Sequence, residues 1–202
     1  MSGPNTPPPA LGRAVRHEWP LDPGWLTVNH GSFGATPRVV LAAQQDWRRL
    51  LEAQPTRFET LPAGMAAAGA ALGAFLGADG KDISFLDNAT SGCNTILRSL
   101  HLLPNDEVLV LGHGYGAVRN TVRYVTERAG ARMTEAAIPF PLPDSEAIVA
   151  SVAATLTVRT RVAVMDHITS GSALVLPLQR ISRLAMRPGW RCWSMAHMGR
   201  DR

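Results

Sequence analysis

A layered α/β fold built on a largely parallel sheet is what this sequence predicts. From residue 83 onward, short apolar runs alternate with longer stretches of helical spacing, the rhythm of strands joined by crossover helices. The runs VLVL and VAVM are continuous rather than alternating, as strands covered on both faces require. Three polar, glycine-bearing stretches, DNATSG, GHGYG and DHITSG, each follow such a run. Ligands of open α/β sheets collect at that position, outside the carboxyl ends of the strands, so the three stretches predict one site on one rim.

Taken in order, the chain opens on MSGPNTPPPALGR. This stretch is Pro-rich and has no apolar segment of the signal-peptide kind, so residues 1–20 are expected to form a disordered tail. Residues 21–185 form the ordered part, entered through the Gly-rich loop VNHGSFGATP. Helical spacing then runs from Arg38 to Ala53, with Val39, Leu41, Ala42, Leu50 and Leu51 offering a buried face, and Gln54-Pro55 ends it. A second helix is expected over Ala63–Leu76, broken by Gly77-Ala78-Asp79-Gly80. The alternation follows: strand Ile83–Leu86, helix Thr90–Leu100, strand Glu107–Leu111, helix Tyr115–Ala129 and strand Arg132–Ala136. After the loop IPFPLPD come helix Ser145–Leu156, strand Arg161–Met165, the loop DHITSGS, and a helix from Pro177 to about Ala185. No internal repeat is present.

Composition removes several function classes. The 202 residues are 46% hydrophobic and 18% charged, enough to bury a core. The net charge of +4 is spread over arginines without a basic run or interleaved aromatics, which argues against nucleic-acid binding. Cys93 and Cys192 form no metal-spaced pattern and are expected as free thiols, which fits a reducing cytoplasm. Pro62–Ala78 is the one candidate membrane segment; it is short and rich in small residues, so a packed helix is expected and no membrane partner. The six histidines fall in no HxH or HExxH arrangement, so no metal site is expected, and neither a GxSxG elbow nor a GxxxxGK[ST] loop occurs.

The stretch ISFLDNATSGCNTILRSL carries the chemistry. A helix opening at Thr90-Ser91-Gly92 exposes unpaired N–H groups and a partial positive charge, and the small residues Ala89, Ser91 and Gly92 let an anion approach closely. Its alternative is an ordinary N-cap. His113 and Tyr115 offer flat rings. Asp166 and His167 form a candidate acid/base pair, and Thr169 and Ser170 supply hydroxyls, unless that loop is simply a turn held by local hydrogen bonds.

Four segments, VNHGSFGATPRVV, FLDNATSGCNTILRSL, NDEVLVLGHGYGAVRNTV and VAVMDHITSGSALVLPL, resemble the class V, fold-type I pyridoxal-phosphate enzymes, closest to the isopenicillin N epimerase-like branch. The likeness runs from about Leu26 to Ala185. It implies a three-layer sandwich, the mostly parallel sheet of the large domain of that fold, incomplete here. It also implies that Thr90, Ser91 and Gly92 hold the phosphate of pyridoxal 5'-phosphate, and that Tyr115, in preference to His113, lies against the pyridine ring. Ser170 with Thr169 would approach the phenolic oxygen, and Asn29 and His30 would line the substrate entrance. The substrate class it implies is a small amino acid or a derivative. Epimerisation is the expected reaction, with carbon–sulfur lyase, desulfurase or aminotransferase activity as alternatives, since one scaffold supports them all. A non-catalytic module binding a phosphate-bearing ligand is the alternative from another class. Full-length members of the family are expected as homodimers, which this half alone is not expected to form.

The pattern breaks after Ala185. The family's strand ending Val-Asp-Gly-Ala-His, whose Asp pairs with the pyridine nitrogen, and its later Schiff-base lysine are both missing from these residues, and Lys81 is the sole lysine. The sequence instead reads MRPGWRCWSMAHMGRDR. Back-translated and read one frame over, the stretch from Gly189 gives Gly-Val-Ala-Val-Leu-Val-Asp-Gly-Ala-His-Gly-Pro-Gly-Pro, given G or C at several third positions. Residues 186–202 are therefore expected to be an aberrant, out-of-frame tail. The chain is then an inactive, incomplete product of a frameshifted gene, or its end is a sequencing error in one, and no residue, His197 included, is credited as catalytic.

Overall fold

The computed structural model describes residues 12–141, 144–185 and 191–195, and the chain divides into two compact units between Ser84 and Phe85. Residues 1–11 of the expected tail, the end of the IPFPLPD loop at 142–143, and positions 186–190 and 196–202 with His197 lie outside the described residues.

In the first unit Gly12–Glu18, which falls within the residues expected as tail, forms a 3-10 helix. The cause is local. The Arg16 guanidinium donates to the carbonyls of Asp22 and Trp25, and Arg38 Nε donates to the His17 carbonyl at 3.0 Å. A single turn α1 (His30–Phe33) precedes α2 (Arg38–Ala53), which has the predicted bounds. Its predicted buried face is not buried: Leu50 and Leu51 are half-buried, while Val39, Leu41 and Ala42 are exposed. The next helix, α3 (Leu61–Leu76), starts two residues earlier than predicted, with Pro62 in its first turn, where a missing N–H costs nothing. It stops at Gly77, whose φ of 74° is a left-handed cap. The chain then folds back against α3 so closely that a Cβ on Gly73 would lie 2.8 Å from the Ala78 carbonyl oxygen. With the turn before it, Pro55–Leu76 is long and apolar enough to cross a membrane by length and composition alone.

The second unit contains the sheet. Its helices are α4 (Ala89–Arg98), α5 (Gly116–Ala129), α6 (Ser145–Thr155) and α7 (Leu178–Ala185). Four parallel strands, β1 (Glu107–Leu111), β2 (Arg132–Ala136), β3 (Thr160–Asp166) and β4 (Arg191–Met195), lie in the order β2-β1-β3-β4. The continuous runs explain the layering. Val108, Val110, Val162 and Val164 face Cys93 and Leu97 of α4 and Val118 and Val122 of α5. One residue on, Leu109, Leu111, Ala163 and Met165 face Ile148 and Val152 of α6 and Ile181 of α7. Both faces are covered, giving the predicted three layers.

Two strand expectations are corrected. Ile83–Leu86 is not a strand: the backbone at Ile83 is extended, with φ −94° and ψ 123°, but no described strand pairs with the run. Apolar, extended backbone becomes a strand only when a partner supplies the ladder. Conversely, the stretch after Ala185 with no strand-like apolar run contains β4, which pairs in register with β3 from Val162↔Arg191 to Asp166↔Met195. Here the ladder is backbone-made and the free edge of β3 supplies it.

One buried atom bears on stability. The Thr134 hydroxyl, on the same sheet face as Ala136, is buried with no hydrogen-bond partner among the described residues. An unpaired buried hydroxyl costs about 1–3 kcal/mol. The near-isosteric Thr134→Val is expected to raise the unfolding free energy by about 1 kcal/mol, read from the urea midpoint at unchanged slope.

Candidate functional site

The loops leaving β1, β2 and β3 are tied together at the carboxyl edge of the sheet. Asp166, the last residue of β3, is buried on the α4/α5 side, and its Oδ2 accepts the Tyr115 backbone N–H at 2.9 Å. Tyr115 is the N-cap of α5, so a carboxylate from a neighbouring strand sits at the positive end of that helix. The same carboxylate acts on α4. Burial pushes the Cys93 thiol up to about 11 and the Asp166 charge adds to the rise, so Cys93 is a neutral thiol at pH 7 and no nucleophile. Of the predicted acid/base pair, Asp166 thus holds a loop and a helix start.

A hydrogen-bonded chain joins the other loops. His113 Nε2 lies 3.2 Å from the Ile138 carbonyl and Nδ1 lies 2.8 Å from Ser172 Oγ. Ser172 Oγ is 2.7 Å from Thr169 Oγ1, which accepts the Leu174 N–H at 2.8 Å. Directions follow for the neutral imidazole. A carbonyl only accepts, so Nε2 carries the proton and Nδ1 accepts from Ser172; Thr169, already accepting from Leu174, donates to Ser172. Every hydroxyl in the chain both gives and receives one bond. The clasp holds a loop in which Ala173 has a left-handed φ of 53°, a conformation that costs an alanine roughly 1 kcal/mol. At the other end of the rim Arg119 of α5 donates to the Gly112 carbonyl at 3.0 Å and pairs with Glu135.

The start of α4 presents its own donors. Asn88 is the N-cap; its side chain accepts the Ser91 N–H at 2.8 Å, and its carbonyl accepts the Gly92 N–H at 3.2 Å. Among the described residues the N–H groups of Ala89 and Thr90 and the hydroxyls of Thr90 and Ser91 have no protein partner. Two amides and two hydroxyls at a ten-residue helix start match a phosphate dianion.

The predicted site residues separate on this geometry. Thr90, Ser91 and Gly92 are half-buried in the first turn of α4, although the run before them is not a strand. Tyr115 keeps an exposed ring, whereas the half-buried His113 uses both nitrogens and tilts against Phe140 at 5.8 Å. Thr169 is buried with its hydroxyl committed to the clasp, while Ser170 beside it is exposed with no partner for its hydroxyl among the described residues. Asn29 and His30 belong to the first unit, exposed at the start of α1.

Sequence reasoning missed Asn88, Ser172 and Arg119. The signal for Asn88 was present, an Asn directly before a helix of small residues. Ser172 had none, because its partner His113 is 59 residues away.

Comparison with known proteins places these features among relatives. The family model described as Aminotransferase class-V matches residues 34–192. A protein of Oryza sativa subsp. japonica named among the L-cysteine desulfhydrases is 35% identical over 182 residues, which is 82% of this chain and 38% of the relative. Isopenicillin N epimerase of Amycolatopsis lactamdurans is 30% identical over 180 residues, 87% of this chain and 45% of the relative. Among solved structures, a C-DES mutant with glycine covalently linked to its PLP cofactor superposes with a TM-score of 0.78 at 22% identity, covering 90% of this chain and 49% of that one. The chain spans less than half the length of these relatives.

Proposed function

We propose, because the chain belongs to the class V aminotransferase family, that it forms the phosphate-holding half of an enzyme that breaks a carbon–sulfur bond in a cysteine-like amino acid. The family's cofactor is pyridoxal 5'-phosphate. The carrying observation is the set of partnerless donors at the start of α4. The Ala89 and Thr90 amides with the Thr90 and Ser91 hydroxyls would hold the phosphate, while Gly92 lets the first turn of α4 pack closely on Leu86, whose side chain a Cβ there would meet at 3.1 Å. The exposed Tyr115 ring, fixed at its backbone by Asp166, would lie along the pyridine. Ser170 would donate to the phenolic oxygen, the clasp through Thr169, Ser172 and His113 holding its loop. Bound there, pyridoxal phosphate supplies an electron sink for negative charge at the amino acid's α carbon. The 30% likeness to isopenicillin N epimerase favours a second reading, return of the proton to that carbon from the opposite face.

The phosphate-binding donors fit this cofactor and the covalent partner does not. Lys81, the chain's one lysine, sits exposed in a 3-10 turn of the first unit, its backbone N–H on the Asp79 carboxylate at 2.9 Å. An out-of-frame end, from a frame change in the gene or a sequencing error, would remove the family's later residues, the lysine among them. Counted from Gly189, the alternative frame brings its Asp to position 195, and β4 pairs position 195 with Asp166 at the rim. That register supports an out-of-frame tail whose intended sequence continues the sheet and brings a carboxylate to the same edge. An intact coding frame with no single-base slip near Met186 refutes it.

Titration of the purified chain with pyridoxal phosphate tests the site itself. Reversible binding is expected, competed by inorganic phosphate, stronger than that of phosphate alone, and weakened at least about tenfold by Ser91→Asp, which sets a negative charge among the donors. Equal affinity for all small phosphates would reduce the site to a plain anion module. A borohydride-trapped adduct at Lys81 would overturn the reading that this chain lacks the covalent partner of the cofactor.

A further inference from the structure

A second polar cluster lies at the far ends of α4 and α5. Both helices begin at the rim, so the groove between their carboxyl ends is about one α4 length away, roughly 15 Å. It has a volume of about 450 Å³, within the range of small-molecule sites. Its floor is apolar, formed by Leu97, Leu100, Leu102 and Val125. Its wall is cationic. Arg98 lies 4.7 Å and Arg128 5.6 Å from the centre of the Tyr124 ring, and Arg128 Nη1 donates to the Tyr124 hydroxyl at 3.0 Å.

Two guanidiniums flanking one ring repel each other, and the side-chain acceptor that Arg98 Nε finds among the described residues is the neutral Asn94 amide oxygen, at 3.3 Å. No residue lining the groove is acidic, and neither arginine has a carboxylate within ion-pair distance among the described residues. His101 at the edge adds another donor. The Arg128 hydrogen bond and charge hold the Tyr124 phenol below its ordinary range, a further sign that this corner favours negative charge. A bare anion would use the wall and waste the floor. An alkane would do the reverse.

We infer that the groove between the carboxyl ends of α4 and α5 binds an amphipathic carboxylate, its carboxyl group between Arg98 and Arg128 and its hydrocarbon body on the leucine floor. This site is independent of the cofactor rim.

Calorimetric titration of the purified chain with sodium octanoate provides the test, with octan-1-ol and sodium sulfate as the probes lacking charge and tail. Octanoate is expected to bind at least tenfold more tightly than either. The double variant Arg98→Gln/Arg128→Gln should weaken octanoate at least tenfold and leave pyridoxal phosphate binding unchanged. Both side chains are exposed, so the variant should fold, as a matching thermal transition would verify. Octanol or sulfate binding as well as octanoate, no saturable octanoate binding, or octanoate binding intact in the folded double variant would each overturn the assignment.

Discussion

Asp166→Ala is expected to cost about 3 kcal/mol of stability and to weaken binding at the rim. The carboxylate is buried at the end of β3, and its bond to the Tyr115 N–H joins that strand to the start of α5. A hydrogen bond to a charged group is worth about 1.5–3 kcal/mol, and truncation leaves a helix N-terminus without its acid and an amide without its acceptor. Asp166→Asn keeps an acceptor oxygen in place and should lose less than half as much. A second readout separates this from a generic packing loss. Asp166 helps to hold the Cys93 thiol high, after burial itself, so both variants should lower the pH at which Cys93 ionises from about 11, and Asn should do so at little cost in stability. Pyridoxal phosphate affinity should fall at least tenfold in the alanine variant. Unchanged affinity would separate Tyr115 from cofactor binding.

Much of this architecture was legible because it is local. VLVL and VAVM are short, continuous and bounded by turn residues, and β1 and β2 take the predicted bounds. The helix ends follow Gly77 and Gly130, both left-handed. What could not be read depends on partners distant in sequence. Ile83–Leu86 has the apolar content of a strand and no ladder, whereas RCWSM has no continuous apolar run and pairs because β3 offers an open edge. The face of α2 repeats the lesson, since spacing shows that a face exists but not what covers it. At the site, the three loops were visible as polar breaks after apolar runs. The clasp between His113 and Ser172 was not, because it is closed by folding across 59 positions. That clasp also changes the chemistry read from TSGS, consuming the Thr169 hydroxyl and leaving Ser170 exposed.

Leu97→Ala is expected to be the most damaging single truncation in α4. The side chain is 1% exposed, one turn beyond Cys93, and packs with it against Val108, Val110 and Val122. Buried Leu→Ala changes cost about 2–5 kcal/mol through lost transfer and a residual cavity, and a loss of about 3 kcal/mol is expected in urea unfolding. Its neighbour supplies the control. Ile96, about 100° around the helix from Leu97, is 42% exposed, so Ile96→Ala should cost under about 1 kcal/mol. The contrast bears on function because Cys93 and Leu97 press α4 onto the sheet, and its first turn carries the phosphate donors. Weakening that anchorage should lower pyridoxal phosphate affinity in Leu97→Ala under conditions where the variant remains folded, while Ile96→Ala binds normally. Equal stability losses at the two positions would mean that α4 docks on the sheet through another face, and the phosphate donors on its first turn would then not be held in place by Cys93 and Leu97.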